Sequence, residues 1–205
     1  MSTQPLEDRP ERWSVTESSY LYEGDWVVSL RADQVQRADA EGEAPFRRLV
    51  LEHPGAVIIL AVDDGERVLC LSQYRHAAGR RFVELPAGLL DGPDEEQPLD
   101  VAKRELREEA LLEAEEWTHL ATTWSSPGIS AEVMHLFLAR GLRTADRGDF
   151  VLEHEEADME TFWVPYADLR SAVLDGRVGD GPLVQAVLLA EAKGLVGSDR
   201  ADTAT

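Results

Sequence analysis

The sequence has one cysteine, few basic residues and no long apolar run, and each scarcity narrows what the chain can be. A single thiol, Cys70, cannot form an intrachain disulfide, and it excludes a zinc site built from several thiolates. Lysine and arginine number 20 against 40 aspartates and glutamates, a formal net charge of −20. So acidic a surface repels the phosphates of nucleic acids and of anionic lipids, and we therefore expect neither as a partner.

The apolar runs are short throughout the chain. One of the longest, residues 56–62, falls far short of the roughly 20 residues that cross a bilayer. The first 13 residues are polar and charged, which is unlike a signal peptide. Together with the single cysteine, these features predict a cytoplasmic protein without a membrane segment.

The rest of the composition, 43% hydrophobic and 29% charged residues, is typical of a globular chain. Many short strands, one central helix and two late helices predict an α+β fold, with a mixed sheet between helices and a small N-terminal antiparallel sheet. The turn sequence 63–66 predicts a hairpin between its two neighbouring strands. The predicted strands span residues 26–37, 46–52, 56–62, 67–74, 81–85, 117–124, 133–139 and 162–164, and the predicted helices 99–112, 166–174 and 183–193.

The central helix, residues 99–112, carries the chemistry. At about 100° per residue, Glu105, Glu108 and Glu109 share one face beside the apolar stripe of the helix. Like charges on one face destabilise a helix, and a solvated face normally mixes signs. Three carboxylates in this position indicate a site for a hard divalent cation, Mg²⁺ or Mn²⁺, which in turn binds diphosphate oxygens. Arg104, four residues before Glu108, is placed to pair with it.

This helix resembles the second half of the Nudix hydrolase signature. The signature runs glycine, five residues, glutamate, seven residues, then Arg-Glu-apolar-any-Glu-Glu-any-Gly-apolar. Residues 104–112 match the last part except that Leu111 replaces the glycine, and seven residues separate Glu96 from Arg104. Gly88 begins the motif, but seven residues rather than five separate it from Glu96. Both departures fall on loop or cap positions, and every acid of the signature is present.

Outside the motif, residues 46–189 resemble the ADP-ribose pyrophosphatase branch of that family. The similar segments are Gln73-Tyr74-Arg75, Glu84-Leu85-Pro86-Ala87-Gly88, Ser126-Pro127-Gly128 with Glu132, and residues 154–159. The resemblance implies hydrolysis of a nucleotide-sugar, ADP-ribose, to AMP and ribose 5-phosphate. It also implies that the reaction depends on Mg²⁺, with Mn²⁺ as the alternative ion. It also implies a homodimer with three regions: residues 1–53 as dimerisation strands, 54–195 as the catalytic domain, and 196–205 as a disordered tail.

The resemblance also assigns roles residue by residue. Ala87 offers its carbonyl to the metal, Glu105 and Glu109 are the main ligands, and Glu108 is a catalytic ligand or supporting group. The general base is Glu155 or Glu156, and local alignment leaves both open. The residues implied to bind substrate are Arg75, Glu84, Pro127, Gly128 and Glu132, while Gly88, Glu96 and Arg104 shape the motif.

Other functions stay open at this point. The substrate could be another nucleoside diphosphate sugar, because loops and the dimer partner select it. The chain could also be a ligand sensor without turnover, or an acidic interaction module whose glutamates only keep it in solution. The intact acids and the lack of a basic DNA-binding helix favour the enzyme.

Overall fold

The structure is a computed structural model that describes residues 6–24, 26–37, 42–93, 96–146 and 159–197. Its elements in chain order are strands β1 (Ser14–Tyr22), β2 (Ser29–Gln36), β3 (Phe46–Glu52), β4 (Ala56–Ala61), β5 (Arg67–Arg75), β6 (Arg80–Glu84) and β7 (Ala87–Leu89), helix α1 (Pro98–Ala110), strands β8 (Leu112–Trp124), β9 (Val133–Thr144) and β10 (Glu160–Pro165), and helices α2 (Tyr166–Leu174) and α3 (Gly181–Ala192). None of the helices in these ranges is long and apolar enough to span a membrane.

The strands form three sheets. The N-terminal sheet is antiparallel with the order β1-β2-β3, and a second antiparallel sheet has the order β10-β5-β6. The third sheet has the order β7-β4-β9-β8 and is mixed, because β4 and β9 run parallel while its other pairs are antiparallel. The predicted α+β class, with a mixed sheet and a small N-terminal antiparallel sheet, is confirmed.

Strand β4 joins the two hydrophobic cores of the molecule. Val57, Ile59 and Ala61 pack with the apolar side of α1, while Ile58 and Leu60 pack in the other core with residues of α2 and α3. A strand covered on both faces needs an unbroken apolar run, which is the sequence found here. Each fully buried aliphatic side chain of this size contributes roughly 1.5–3 kcal/mol, so β4 fixes where α1 and its acids lie.

The predicted hairpin between β4 and β5 is wrong. The two strands belong to different sheets, and their backbones are joined by an isolated bridge between Val62, just after β4, and Val68. The turn between them does form, since Asp63 accepts hydrogen bonds from the backbone N–H groups of Gly65 and Arg67. The turn reverses the chain, but it carries β5 into the second sheet, where β6 and β10 are its partners.

Several other elements differ from the sequence pattern. Strand β1 was not expected, because its side chains are exposed along the whole strand and show no alternation. Strands β8 and β9 extend beyond the predicted ranges and pair from Leu112–Thr144 to Trp124–Val133. Helix α2 has the predicted bounds, and α3 begins two residues earlier than predicted.

Helix α1 ends at Ala110, two residues before the predicted end, in a left-handed cap. Leu111 has φ 55° and ψ 38°, and its N–H donates to the carbonyl of Arg107 at 3.1 Å. This is the conformation that glycine supplies at the end of many helices. The leucine therefore preserves the exit of the helix, at a cost in backbone strain.

Replacing Leu111 by glycine is expected to raise the free energy of unfolding by about 1 kcal/mol, because glycine adopts positive φ without the steric penalty. The Leu111 side chain is 40% exposed, so little buried area is lost. Urea denaturation measures the change. The control, Leu111→Ala, removes the side chain but keeps the strain and should not stabilise. A glycine variant no more stable than the alanine variant would contradict this account.

Cys70 lies in the middle of β5 and is fully buried in the core shared with α2 and α3. Burial raises the pKa of its thiol to about 12. Cys70 therefore packs as a small hydrophobic residue of the core.

Candidate active site

A cleft of about 660 Å³ opens beside the acidic face of α1. Its walls come from α1, from β5, β6 and β7, and from the segments that precede β2 and α3. The cleft brings together most of the residues that the sequence singled out: Arg75, Glu84, Ala87, Gly88, Arg104, Glu105, Glu108, Glu109 and Glu132.

Three predicted site residues within the described part of the chain do not line this cleft. Pro127 and Gly128 lie on an exposed turn between β8 and β9. Glu96 contacts the arginine of the motif instead. Glu155 and Glu156 lie outside the described residues.

Arg104 organises the carboxylates of α1. Its Nη1 lies 2.8 Å from Oε1 of Glu105 and 3.3 Å from Oε2 of Glu108, and its Nε lies 3.7 Å from Oε1 of Glu96. Partial burial alone would lower the pKa of Arg104, but the three carboxylates reverse the direction and raise it. The expected Arg104–Glu108 pair is therefore present, within a larger network that keeps the acids together despite their like charge.

Glu109 is held by the backbone of β7. Its side chain is buried, and Oε2 accepts a hydrogen bond of 3.1 Å from the N–H of Ala87. Strand β7 is fixed in turn by pairing with β4. The contact of Ala87 in this structure is thus through its N–H, and the metal-binding role of its carbonyl stays a prediction.

Gly88 allows β7 to lie directly against α1. A β-carbon at this position would lie 2.1 Å from Cγ and 2.2 Å from Cδ of Glu105, far closer than any real contact. Glycine thus makes room for the Glu105 side chain, which is a physical reason for the glycine that begins the motif. Gly92 makes a similar close approach to Glu96, at 2.3 Å from Oε2.

Arg75 and Glu84 form a two-point ion pair on the opposite wall. Nε of Arg75 lies 2.9 Å from Oε1 and Nη2 lies 2.6 Å from Oε2 of a carboxylate that is almost fully buried. Their strands β5 and β6 are neighbours in the same sheet. Paired in this way, the two residues present fixed charge and hydrogen-bonding groups to the cleft.

Glu132 lies on the cleft wall next to His53. Oε1 of Glu132 is 3.8 Å from Nε2 of His53, whose Nδ1 accepts a hydrogen bond from the N–H of Gly55. This bond orients the imidazole so that Nε2 faces the carboxylate. His53 also lines the cleft, although no sequence motif singled it out.

Asp180 is a cleft residue that the sequence reasoning missed. It caps α3, accepting a hydrogen bond of 2.9 Å from the N–H of Leu183. Burial and, to a lesser degree, the charge of Glu84 raise its pKa to about 6, against the opposing effects of that hydrogen bond and of Arg75. An aspartate before Gly-Pro-Leu predicts a helix cap, but nothing in its sequence neighbourhood places it in the cleft. Gln73, which belongs to a segment that carries the family resemblance, and Trp26 also line the cleft, although neither was assigned a role from the sequence.

The raised pKa of Asp180 makes the folded state less stable as pH rises from 3.8 to about 6, because the folded protein binds the proton more tightly than the unfolded chain does. Asp180→Asn keeps the cap and removes the charge. We expect it to flatten this pH dependence and to raise the free energy of unfolding at pH 7 by about 1 kcal/mol, after allowance for solvent screening. Urea denaturation between pH 4 and pH 7 measures both effects, with exposed Asp175→Asn as the control. Equal pH profiles for wild type and Asp180→Asn would contradict the prediction.

The acidic cleft offers oxygen ligands of the kind that hard divalent cations take. Within residues 6–24, 26–37, 42–93, 96–146 and 159–197, however, no three His, Cys, Asp or Glu side chains converge closely enough to hold a metal ion alone. This arrangement suits an ion that binds one or two carboxylates and completes its shell with water or phosphate oxygens, as Mg²⁺ commonly does. The donor set and the glycine cradle around Glu105 therefore fit such an ion.

Comparisons with known proteins show which family the chain resembles in sequence and fold. The model of the NUDIX domain matches residues 52–187. The chain is 42% identical over 166 residues to an ADP-ribose pyrophosphatase of Mycobacterium tuberculosis, covering 81% of this chain and 77% of that protein. It is 34% identical over 131 residues to an ADP-ribose pyrophosphatase of Bacillus subtilis, covering 61% and 68%. A crystal structure of an ADP compounds hydrolase has the same fold, with a TM-score of 0.71, 17% identity, and coverage of 93% and 100%.

Proposed function

Because the chain belongs to the Nudix family, we propose that its cleft hydrolyses the diphosphate of ADP-ribose to AMP and ribose 5-phosphate. The observation that carries the proposal is the acidic face of α1, which lines a cleft large enough for a nucleotide. The 42% identity to an ADP-ribose pyrophosphatase supports this substrate. One water molecule is consumed, and one P–O bond of the diphosphate is replaced by a P–O bond to the water oxygen.

The metal of this reaction is proposed to be Mg²⁺, held by Glu105 and Glu109 with Glu108 as a further ligand or support. When bound, a divalent cation neutralises diphosphate oxygens and makes water more acidic. Arg104 keeps Glu105 and Glu108 on the cleft side of the helix, through contacts of 2.8 Å and 3.3 Å. By holding these carboxylates in place, Arg104 supports a site where a bound cation can offset the acidic charge and receive a phosphate substrate.

The remaining roles follow from the chemistry of the walls. Buried Glu84, locked by Arg75, is suited to accept hydrogen bonds from sugar hydroxyls, and Glu132 offers a second carboxylate at the cleft wall. Glu155 or Glu156 is proposed to take the proton from the attacking water. Pro127 and Gly128 are retained as proposed substrate contacts, although they lie on an exposed turn in this chain.

A substrate panel tests the proposal. ADP-ribose, a GDP-hexose, an ADP-hexose and a UDP-hexose are incubated with the protein and Mg²⁺, and the products are separated by chromatography. We expect ADP-ribose to give equal amounts of AMP and ribose 5-phosphate, with the highest kcat/KM of the panel. A sugar nucleotide that turns over as fast or faster would overturn the choice of substrate. ADP-ribose bound without turnover would favour the sensor function.

The N-terminal strands are proposed to join two copies of the chain. Strand β1 is exposed along its whole length and carries Val15 at 52% exposure, while Leu49 of β3 is 39% exposed. Apolar side chains left exposed on a small sheet are typical of a protein interface. These exposed side chains support the proposal that residues 1–53 form a dimerisation region beside a catalytic domain in residues 54–195.

Light scattering during gel filtration is expected to give a mass of about twice 22.7 kDa for the wild type. Val15→Asp and Leu49→Asp each introduce a charge into the proposed interface, and the mass should fall toward that of one chain. Leu174→Asp is the matched control, because Leu174 is 58% exposed on α2. A wild type with the mass of one chain would refute the dimer, and loss of the dimer in the control would refute its location.

A further inference from the structure

A second cleft, of about 560 Å³, lies along the neighbouring face of α1, between the helix and strands β8 and β9. Lys103, Arg107, Trp117 and Arg143, which line it, have no role in the proposed reaction. Four of its eight lining residues are basic and two are acidic, so its side chains carry a net charge of 4 − 2 = +2. In a chain with a net charge of −20, this concentration of positive charge indicates a site for an anion.

Two cations of the second cleft, Lys103 and Arg143, pair with exposed carboxylates. Arg143 contacts Glu113 at 3.3 Å and Glu115 at 3.0 Å, and Lys103 contacts Asp100 at 3.5 Å. The side chains of Lys103 and Arg143 are 50% and 60% exposed. Exposed ion pairs contribute little to stability, so these cations can turn toward a bound anion at small cost.

Arg107 adds a fixed guanidinium from the helix. Its Nε donates a hydrogen bond of 2.6 Å to the carbonyl of Asp146, while Nη1 lies 3.9 Å from Glu113, a long contact. The hydrogen bond orients the planar group at the mouth of the cleft. A guanidinium held in this way matches the geometry of phosphate oxygens.

Trp117 supplies the apolar part of the second cleft. Its Nε1 donates to the carbonyl of Ala114 at 3.2 Å, and its ring packs edge-on against Phe137 with centroids 6.3 Å apart. Both contacts fix the indole of a half-buried side chain, part of which lines the cleft. A rigid aromatic surface beside phosphate-binding cations is suited to stacking with a nucleobase.

We infer that the second cleft binds a nucleoside monophosphate, with its phosphate at Arg107 and Arg143 and its base against Trp117. Arg104 and Glu108 line both clefts, so the two sites share one wall of α1. This inference does not depend on the proposed reaction, because it rests on residues outside the acidic cluster. AMP is the probe, since it carries one phosphate and one purine.

The side-chain N–H signals of the five tryptophans allow the two clefts to be followed separately by NMR. Trp117 reports on the second cleft and Trp26 on the first, and Trp117→Phe and Trp26→Phe assign their signals. Titration with AMP, without added metal, is expected to shift the Trp117 signal to saturation. Adenosine and inorganic phosphate, which each lack one half of the ligand, should bind at least about tenfold more weakly.

The double substitution Arg107→Glu/Arg143→Glu is expected to weaken the AMP response of Trp117 at least about tenfold, because both phosphate-binding cations are reversed. Arg177→Glu is the control, since Arg177 is an exposed arginine whose guanidinium pairs with exposed Asp175. A Trp117 signal that AMP does not move would overturn the inference, as would an equal response in the double variant. Equal binding of inorganic phosphate and AMP would overturn the nucleotide as ligand. Hydrolysis of ADP-ribose is measured separately, so neither result decides the other.

Discussion

Glu109→Gln is expected to lower kcat for ADP-ribose by about three orders of magnitude while leaving the fold intact. The substitution keeps the size of the side chain but removes the charge that a divalent cation needs. Glu109 is buried and its Oε2 accepts a hydrogen bond from the N–H of Ala87, which the amide oxygen of glutamine can also accept. Steady-state kinetics at saturating Mg²⁺ measure the loss.

The matched control is Glu116→Gln, which removes one carboxylate from the exposed surface of β8. Its kcat should stay within about twofold of wild type, because surface charges far from a reaction contribute little. Circular dichroism and urea denaturation confirm that both variants fold. If Glu109→Gln retained wild-type kcat, the acids of α1 would be no more than solubilising groups, and the proposed active site would be refuted.

Gly88→Ala is expected to reduce kcat/KM at least about a hundredfold and to lower the free energy of unfolding by about 2 kcal/mol. The added methyl group would lie 2.1 Å from Cγ of Glu105, so either β7 or the metal-binding side chain must move. Displacing a reacting group by about 1 Å is enough for a hundredfold loss of rate. Overpacking between β7 and α1 explains the loss of stability.

A double-mutant cycle separates this contact from a general defect of the loop. In a Glu105→Ala background the added methyl group has room, so Gly88→Ala should then lower the free energy of unfolding only slightly. Gly179→Ala is the control, because a β-carbon at Gly179 meets no atom within 4 Å. If Gly88→Ala destabilised both backgrounds equally, the glycine would be required for a reason other than Glu105.

Local sequence patterns predicted the helices and strands better than they predicted which strands pair with each other. The predictions of strand β4 from its apolar run and of the turn after it were both correct. The predicted hairpin was wrong, because a turn reverses the direction of the chain but does not determine which sheet the next strand joins. The parallel partner of β4 is β9, which lies more than seventy residues further along the chain, since Ala56 pairs with Met134. Such non-local pairing depends on how the two cores close, which no single segment encodes.

The residues of the candidate site likewise fall into those that a local pattern predicted and those that it did not. Helical spacing placed Glu105, Glu108 and Glu109 on one face, and the structure has them at the cleft. Asp180 comes to that cleft only because α3 packs against β4, and its own sequence indicates a helix cap and nothing more. Residues brought together by tertiary packing, without a motif around them, leave no signal in one sequence.

The position of Cys70 has a practical consequence for experiments on this protein. A thiol that is fully buried, with its pKa raised to about 12, is almost never a thiolate and is shielded from reagents. A cysteine introduced at an exposed position, such as Trp26 at the mouth of the first cleft, would then be the thiol that a maleimide dye or a nitroxide spin label modifies. Cys70 therefore does not have to be replaced before introduced cysteines are labelled and distances between them across the first cleft are measured.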